Sequence, residues 1–343
     1  MNRVRGGLLN DSDVLNDSAF ARDVLAGLSA TPKRLMSRYF YDERGDELFQ
    51  AIMASPEYYL TDCELEILRE QGEPMATAMA TDEPFELVEL GSGDGSKIRY
   101  LLDALQANGA DFSYRPVDIS AAVLDQLAGR LRPGRPWLEL RPMAVNYMAW
   151  LEDLVPGEQR RVFAFMGSNL GNFGDEGAVG FLSLLRRAMG PRDALLIGLD
   201  LKKDPAIIRA AYNDAAGVTA AFNLNLLARI NHELGGEFDP AGFEHAPEYD
   251  PATGAARSWL RSLRDQRVPI AALERDFTFA QGERVFMEIS QKYDDAMIAD
   301  LSTRSGFRVA ADFRDRRGWF TDQLWVPLTG DRGSTLKNGP PAG

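Results

Sequence analysis

An α/β protein built on a doubly wound, mostly parallel sheet is the fold class this sequence predicts, and three observations carry that reading. Short apolar runs alternate with helix-spaced segments over residues 85–200. The first of those runs, FELVEL at 85–90, stops at a glycine-rich turn, GSGDG, that opens a helical pattern. The alternation breaks after Asp200, and the chain closes on two strand-like runs over 305–328. Strands alternating with helices build a parallel sheet, because each crossover must carry the chain back to the same edge.

Taken in order, residues 17–30 and 44–54 have helical spacing. Thr61 and Glu64 form the pattern of a capping box, T-D-C-E, which predicts a helix over 62–80. Strands are expected at 85–90, 114–120, 137–145, 160–167 and 193–200, with helices at 96–108, 120–131 and 177–189 between them. Residues 204–234 read as mainly helical and 255–290 as short strands. Two domains follow. Residues 62–201 and 293–328 form the sheet-based core with its C-terminal antiparallel pair. Residues 1–61 and 202–292 form a second, α+β domain that binds substrate. Residues 329–343, poor in apolar side chains, are expected to be a disordered tail.

Composition excludes several functions. The 343 residues suffice for one large core or two domains. A net charge of −13 argues against broad contact with nucleic acid or anionic membranes, both of which need a basic face. The Arg-rich stretch 130–141 reads as a solvated loop and strand edge. Cys63 is the single cysteine, so no internal disulfide forms, which fits a cytoplasmic location. No apolar run is long enough to predict a membrane span, and MNRVRGGLLNDSDVLNDSAF lacks a signal-peptide core. With only His232 and His245 as histidines, no metal centre is expected. A monomer is expected.

The glycine turn narrows the ligand. A phosphate-binding loop, G-x-x-x-x-G-K-[ST], would need glycine where Ser96 stands before Lys97, and the dinucleotide pattern G-x-G-x-x-G also meets Ser96 at its third glycine. Asp94 inside the turn would repel a pyrophosphate. A phosphate-free ligand carrying a cation suits the turn better, and S-adenosylmethionine is one. Other strand ends add candidates. Asp118, 23 residues after Gly95, can accept hydrogen bonds from ribose hydroxyls or can cap the next helix, a task Ser120 could equally perform. Asn146 and Tyr147 are placed to contact an adenine, or simply end a strand. GSNLGNF at 167–173 offers backbone and amide groups beside a ligand's reactive end, or a plain glycine turn.

Longer motifs carry a resemblance. YFYDERGDELFQAI, SPEYYLT, VELGSGDGSK, MGSNLGNF, GLDLKKD, AYNDAAGVTAAFNLNLLARINHELGGEFD and MEISQKY together resemble the bacterial L-histidine Nα-methyltransferases over about residues 15–328. That family uses S-adenosylmethionine and opens ergothioneine biosynthesis. The resemblance implies a Rossmann-like methyltransferase core and an amino acid as small-molecule substrate. It places Gly91, Lys97, Asp118, Asn146 and Tyr147 on the methyl donor, with Tyr41 near it. Asn172 and Tyr212 would hold the amino and carboxylate groups of the acceptor and carry the catalytic role. Tyr58, Glu288 and Ser290 would surround its imidazole, with Gly167 lining the site. Ser258 stands where the family has a side-wall methionine, which leaves another amino acid or amine, or a non-catalytic binding role, as alternatives. Independently of the resemblance, a carboxylate and a hydroxyl two residues apart on a strand face the same side. Such a pair suits imidazole, which has one N–H donor and one N acceptor, although solvent-facing polar residues follow the same spacing.

Overall fold

The computed structural model describes residues 18–328. The expectations for the N-terminal leader and the 329–343 tail lie outside the described residues. The chain divides into two compact units. The sheet unit comprises residues 63–170, 175–201 and the chain from Tyr293 onward; the second unit comprises the chain up to Asp62, Gly171–Gly174 and Lys202–Lys292.

Helices α1 (Ala19–Ser29), α2 (Glu43–Met53), α3 (Leu60–Glu70) and α4 (Gly72–Met79) open the chain. Then come β1 (Phe85–Leu90), α5 (Arg99–Ala107), β2 (Phe112–Asp118), α6 (Ala121–Leu131), β3 (Glu139–Leu140) and β4 (Met143–Ala144). Helix α7 (Tyr147–Asp153), β5 (Arg160–Phe165), α8 (Gly174–Ala188) and β6 (Ala194–Asp200) complete the alternation. Helices α9 (Pro205–Ala211) and α10 (Val218–Leu234) lead into β7 (Phe243–His245), β8 (Glu248–Asp250), β9 (Ala255–Ser262), β10 (Gln266–Ile270), β11 (Arg275–Phe279) and β12 (Arg284–Gln291). Helix α11 (Asp295–Arg304) and strands β13 (Phe307–Arg314) and β14 (Phe320–Pro327) finish it.

In the sheet unit the strand order is β13-β14-β6-β5-β1-β2-β3, with β4 also paired to β2. Strands β1, β2, β5 and β6 run parallel, whereas β14 is antiparallel to β6 and β13 to β14. The doubly wound sheet with its C-terminal antiparallel pair is therefore present as the sequence predicts. From β1 the chain moves outward to β2 and β3, then returns to β5 on the other side of β1. The order reverses between β1 and β5, and such a reversal opens a crevice at the carboxyl ends of the strands. Every residue of β1, β5 and β6 is buried, as the apolar runs FELVEL, RRVFAF and ALLIGLD require.

Three local expectations are corrected. The helix expected over 62–80 is two helices. Pro74 in a continuous helix would clash with the carbonyl of Glu70, so α3 ends at Glu70 and a new helix starts with Pro74 in its first turn. The strand expected over 137–145 is two short pieces either side of Arg141 and Pro142, because proline cannot donate to a ladder. Nor do Thr61 and Glu64 form a capping box: α3 begins at Leu60, and the Glu64 side chain turns inward.

The second unit holds a four-stranded antiparallel sheet, β12-β9-β7 with β8 also on β9, and the separate pair β10-β11. Its core combines Phe20, Val24 and Leu28 of α1 with Phe222, Leu226 and Ile230 of α10, spaced three or four residues apart as helical apolar stripes require. Phe222 is the hub of an aromatic cluster, with ring centroids 4.9 Å from Phe40, 5.6 Å from Tyr41 and 5.9 Å from Phe49. Asp42 caps α2 by accepting from the Gly45 amide at 2.7 Å and also accepts from Asn225 of α10 at 2.7 Å. Among the described residues no helix is long and apolar enough to cross a membrane.

Because Phe222 supports both the core and the Tyr41 ring, Phe222→Ala is expected to cost about 3–5 kcal/mol of stability. Urea unfolding followed by fluorescence measures the loss.

Candidate active site

The carboxyl ends of β1, β2, β4 and β5 place the first group of candidates along one edge of the sheet. Gly91, Gly93 and Gly95 all adopt left-handed backbone, with φ of 71°, 55° and 69°. A side chain at any of the three would be strained, and at Gly95 a Cβ would also come within 2.9 Å of Leu127. The turn presents its amides around Asp118: the Asp118 carboxylate accepts from the Gly93 amide at 3.3 Å and the Ser120 amide at 3.0 Å. Ser120, not Asp118, caps α6, accepting from the Val123 amide at 3.3 Å. Tyr147 lies against the turn, with its ring edge 3.9 Å from where a Gly91 Cβ would sit. Its other neighbours are Phe165 and Phe181. Asn146 uses its carbonyl oxygen to cap α7, accepting from the Met148 and Ala149 amides.

Glu64 organises the other side of this edge. It is 1% exposed, pairs with Lys97, and accepts a hydrogen bond from the Gly167 amide at 2.6 Å. One carboxylate thus links α3, the lysine after the glycine turn and the loop that follows β5. Gly167 has φ of 75°, and a Cβ there would stand 3.5 Å from the Lys97 ammonium. The next residue, Ser168, also has positive φ, 58°, a strained conformation held where its hydroxyl accepts from the Asp200 amide at 3.2 Å.

Acidic groups crowd this edge. Burial pushes Glu89 up to about 8, with Glu64 and Asp118 adding to the rise while the Tyr114 hydroxyl and Lys97 oppose it. Burial and the Glu64 charge push Asp322 well above the usual carboxylate range, and neither of its oxygens has a partner among the described residues. The surroundings therefore favour an added positive charge, such as a sulfonium or ammonium, and oppose a pyrophosphate. Asp94 is not the source of that preference: its carboxylate accepts from Arg130 at 2.5 Å and from the Ser96 amide at 2.9 Å. Burial would raise Asp94, but these bonds hold it below its ordinary value.

A second group assembles within the other unit. Glu288 and Ser290 lie two residues apart on β12. Burial pushes the Glu288 carboxyl up to about 7, against the pull of Lys292. Lys292, two residues beyond Ser290, is fully buried. Its ammonium donates to the Tyr212 hydroxyl at 2.6 Å and the Ser290 hydroxyl at 2.7 Å, and Tyr212 donates to Ser290 at 2.8 Å. Tyr212 ends α9, and its carbonyl meets His245 Nε2 at 3.0 Å. Asp214 fixes the following turn by accepting from the Val218 and Thr219 amides at 2.8 and 2.7 Å. Tyr58 packs on the apolar core. The Tyr41 phenol lies within electrostatic reach of Glu288, Tyr58 and Tyr212. Ser258 pairs directly with Glu288 across β9 and β12, beside a bulge between Phe286 and Glu288. The loop holding Asn172 reaches the end of β12 because Gly171 has no side chain: a Cβ there would fall 2.9 Å from the backbone N and O of Gln291. Asn172 itself is exposed.

The sequence model of the family described as "Histidine-specific methyltransferase, SAM-dependent" matches residues 20–327. The chain belongs to that histidine-specific, S-adenosylmethionine-dependent methyltransferase family. It is 39% identical over 318 residues to a histidine N-alpha-methyltransferase of Mycobacterium tuberculosis, covering 93% of this chain and 94% of that one. It is 38% identical to the protein of the same name in Mycolicibacterium smegmatis, covering 90% and 95%. Ergothioneine biosynthesis protein 1 of Neurospora crassa is 30% identical over 82% of this chain and 32% of its own length. For a methyltransferase of this family the acidic edge is chemically apt, because its methyl donor carries a sulfonium. The glycine turn, Asp118, Tyr147 and Lys97 with its Glu64 partner fit that donor.

Sequence reasoning missed Glu64 and Lys292 in this methyltransferase. Glu64 sits in the buried stripe Cys63, Glu64, Ile67, Leu68 of α3, a carboxylate where the pattern asks for an apolar residue. Lys292 continues the alternation Glu288, Ser290, Lys292 past the end of the strand.

Two substitutions separate the groups. Glu64→Gln should weaken S-adenosylmethionine binding about tenfold or more, the scale of one charge-assisted hydrogen bond, as read by calorimetry. Gly171→Ala should raise the KM for the methyl acceptor while donor affinity stays unchanged.

Proposed function

We propose that the protein transfers methyl groups from S-adenosylmethionine to the α-amino nitrogen of L-histidine, three in succession, giving the trimethyl betaine hercynine as in ergothioneine biosynthesis. The observation that carries this reading is the strand face bearing Glu288 and Ser290, with the buried Lys292 bonded to Ser290 and Tyr212. A carboxylate and a hydroxyl side by side match the two ring nitrogens of an imidazole. The named relatives support histidine as the amino acid.

Bound S-adenosylmethionine supplies an electrophilic methyl group on a sulfonium. The residues of this chain bind, orient and desolvate. Asp118 takes the ribose hydroxyls, the glycine turn the adjoining backbone of the ligand, and Asn146 and Tyr147 the adenine. Lys97, held by Glu64, faces the donor's carboxylate, and Gly167 lines its reactive end. Asn172 holds the acceptor's amino group, and Tyr212, whose hydroxyl gives its proton to Ser290, lines the pocket beside it, with Tyr58 and Tyr41 closing on the acceptor's side chain. Glu288 accepts the imidazole N–H when ionised, which its position near 7 permits at neutral pH and above. Alignment of two held reactants supplies up to about 7–11 kcal/mol of barrier lowering, so no general-base histidine is required. Asn172 is exposed, so water reaches the nitrogen it orients and takes the amine proton.

A second acceptor class is favoured by Ser258. Its short side chain faces Glu288 across the ladder and leaves room for a bulkier amino acid side chain there.

Mass spectrometry of the protein with S-adenosylmethionine and each amino acid in turn decides between them. A product with three added methyl groups from histidine alone is expected; a product from a bulkier amino acid and none from histidine would replace the first reading with the second. Glu288→Ala should weaken histidine use about tenfold or more while donor affinity holds, as calorimetry with each ligand reads.

A further inference from the structure

We propose that Lys292 is a positioning residue that fixes the hydrogen-bond polarity of the acceptor pocket, making Ser290 a donor only and so selecting the neutral imidazole over the imidazolium. This inference rests on the reading of Glu288 and Ser290 as the groups that face the ring.

Lone pairs and hydrogens fix the polarity of this cluster. An ammonium only donates, so the oxygens of Tyr212 and Ser290 must both accept from Lys292. The Tyr212 hydroxyl spends its proton on Ser290. Ser290 Oγ then accepts two bonds, which fills both its lone pairs. Its own hydrogen points out of this triangle, and any ring nitrogen it meets must be an acceptor. Glu288, on the same strand face, is left to accept the N–H of the other nitrogen. A neutral imidazole offers one acceptor and one donor and meets both demands. An imidazolium offers two donors; one would meet the Ser290 hydrogen, with a buried ammonium behind it. Lys292 touches neither ring nitrogen in this account: it acts through Ser290 and Tyr212.

The charged and titratable groups around this triangle come from four elements. Glu288 and Lys292 belong to β12 and its end. Tyr212 comes from the end of α9, and His245 of β7 holds its carbonyl. Burial depresses the His245 imidazole, against its bond to the Tyr212 carbonyl and the Asp214 charge. Tyr41 and Tyr58 come from the N-terminal segment and sense the same field. Glu288 itself changes charge near neutrality, so the test must separate its proton from that of the ligand.

Calorimetric titration of the protein saturated with S-adenosylhomocysteine, which permits no transfer, makes the separation. Histidine is titrated at about pH 7.5 and about pH 5.5, on either side of the imidazole pKa of about 6.5. In the wild type protonation of the ring alone should lower the affinity about tenfold, one factor of ten per pH unit below that pKa, on top of any loss from the Glu288 proton. In Lys292→Met, Ser290 regains a lone pair and the cation is gone, so the fall should shrink several-fold. An equal fall in both proteins overturns the role of Lys292 and leaves the pocket assignment standing. No histidine binding by the wild type at either pH overturns the inference together with the reading beneath it. Should Lys292→Met fail to fold, the wild type alone suffices. Triazolylalanine, whose ring stays neutral over this range, reports the Glu288 proton alone, and histidine should fall about tenfold further than it does; a loss equal to that of histidine assigns the whole effect to Glu288 and overturns the inference.

Discussion

A single buried carboxylate holds one end of the sheet unit together. Glu64 pairs with Lys97 and accepts from the backbone of Gly167, so one residue of α3 sets both the lysine after the first glycine turn and the loop after β5. A carboxylate that is 1% exposed persists only where cations and amides surround it. Its charge also forces neighbours to adjust, since Asp322 and Glu89 cannot readily ionise beside it. The result is an edge lined with carboxyl groups that would ionise more readily beside an added positive charge. A cationic methyl donor would supply that charge, whereas a dinucleotide would not.

The buried polar cluster of the second unit is built on a different principle. Its polar atoms are linked to one another, and the ammonium of Lys292 takes the place of the water that would otherwise satisfy them. A hydroxyl in water donates or accepts as its partner demands. Locked against a buried cation it loses that freedom, and selectivity follows from the loss.

Much of the fold was legible in the sequence because strand and helix periods are local. FELVEL, RRVFAF and ALLIGLD are mostly apolar and became buried central strands, carrying Glu86, Glu89, Arg160, Arg161 and Asp200 in with them. Breaks were harder to see. Pro74 and Pro142 were in plain view, yet their effect depended on whether the chain around them lay inside a helix or a ladder. Spacing placed Glu288 and Ser290 on one strand face, but it could not show what lay behind them. Glu64 read as half of a capping box because its sequence neighbours allow one; only a partner more than thirty residues away, Lys97, gives the side chain a better use. Tyr41 lies with Glu288, Tyr58 and Tyr212, a grouping that no local pattern encodes.

The order in which the chain visits its two units has a consequence for its biosynthesis. Helix α2 packs on α10, and the backbone of Leu35 donates to Phe286 on β12 at 2.8 Å. The N-terminal helices must therefore wait on the ribosome for partners some two hundred residues further along. Until then Phe20, Val24 and Leu28 remain uncovered, a surface suited to chaperone capture or to misassociation with a neighbouring nascent chain. The sheet waits longer still, because β14 takes its place beside β6 only when the last described strand has been made. Folding is thus governed by loop closure over long stretches of chain, and a message truncated before β14 would leave β6 an open edge.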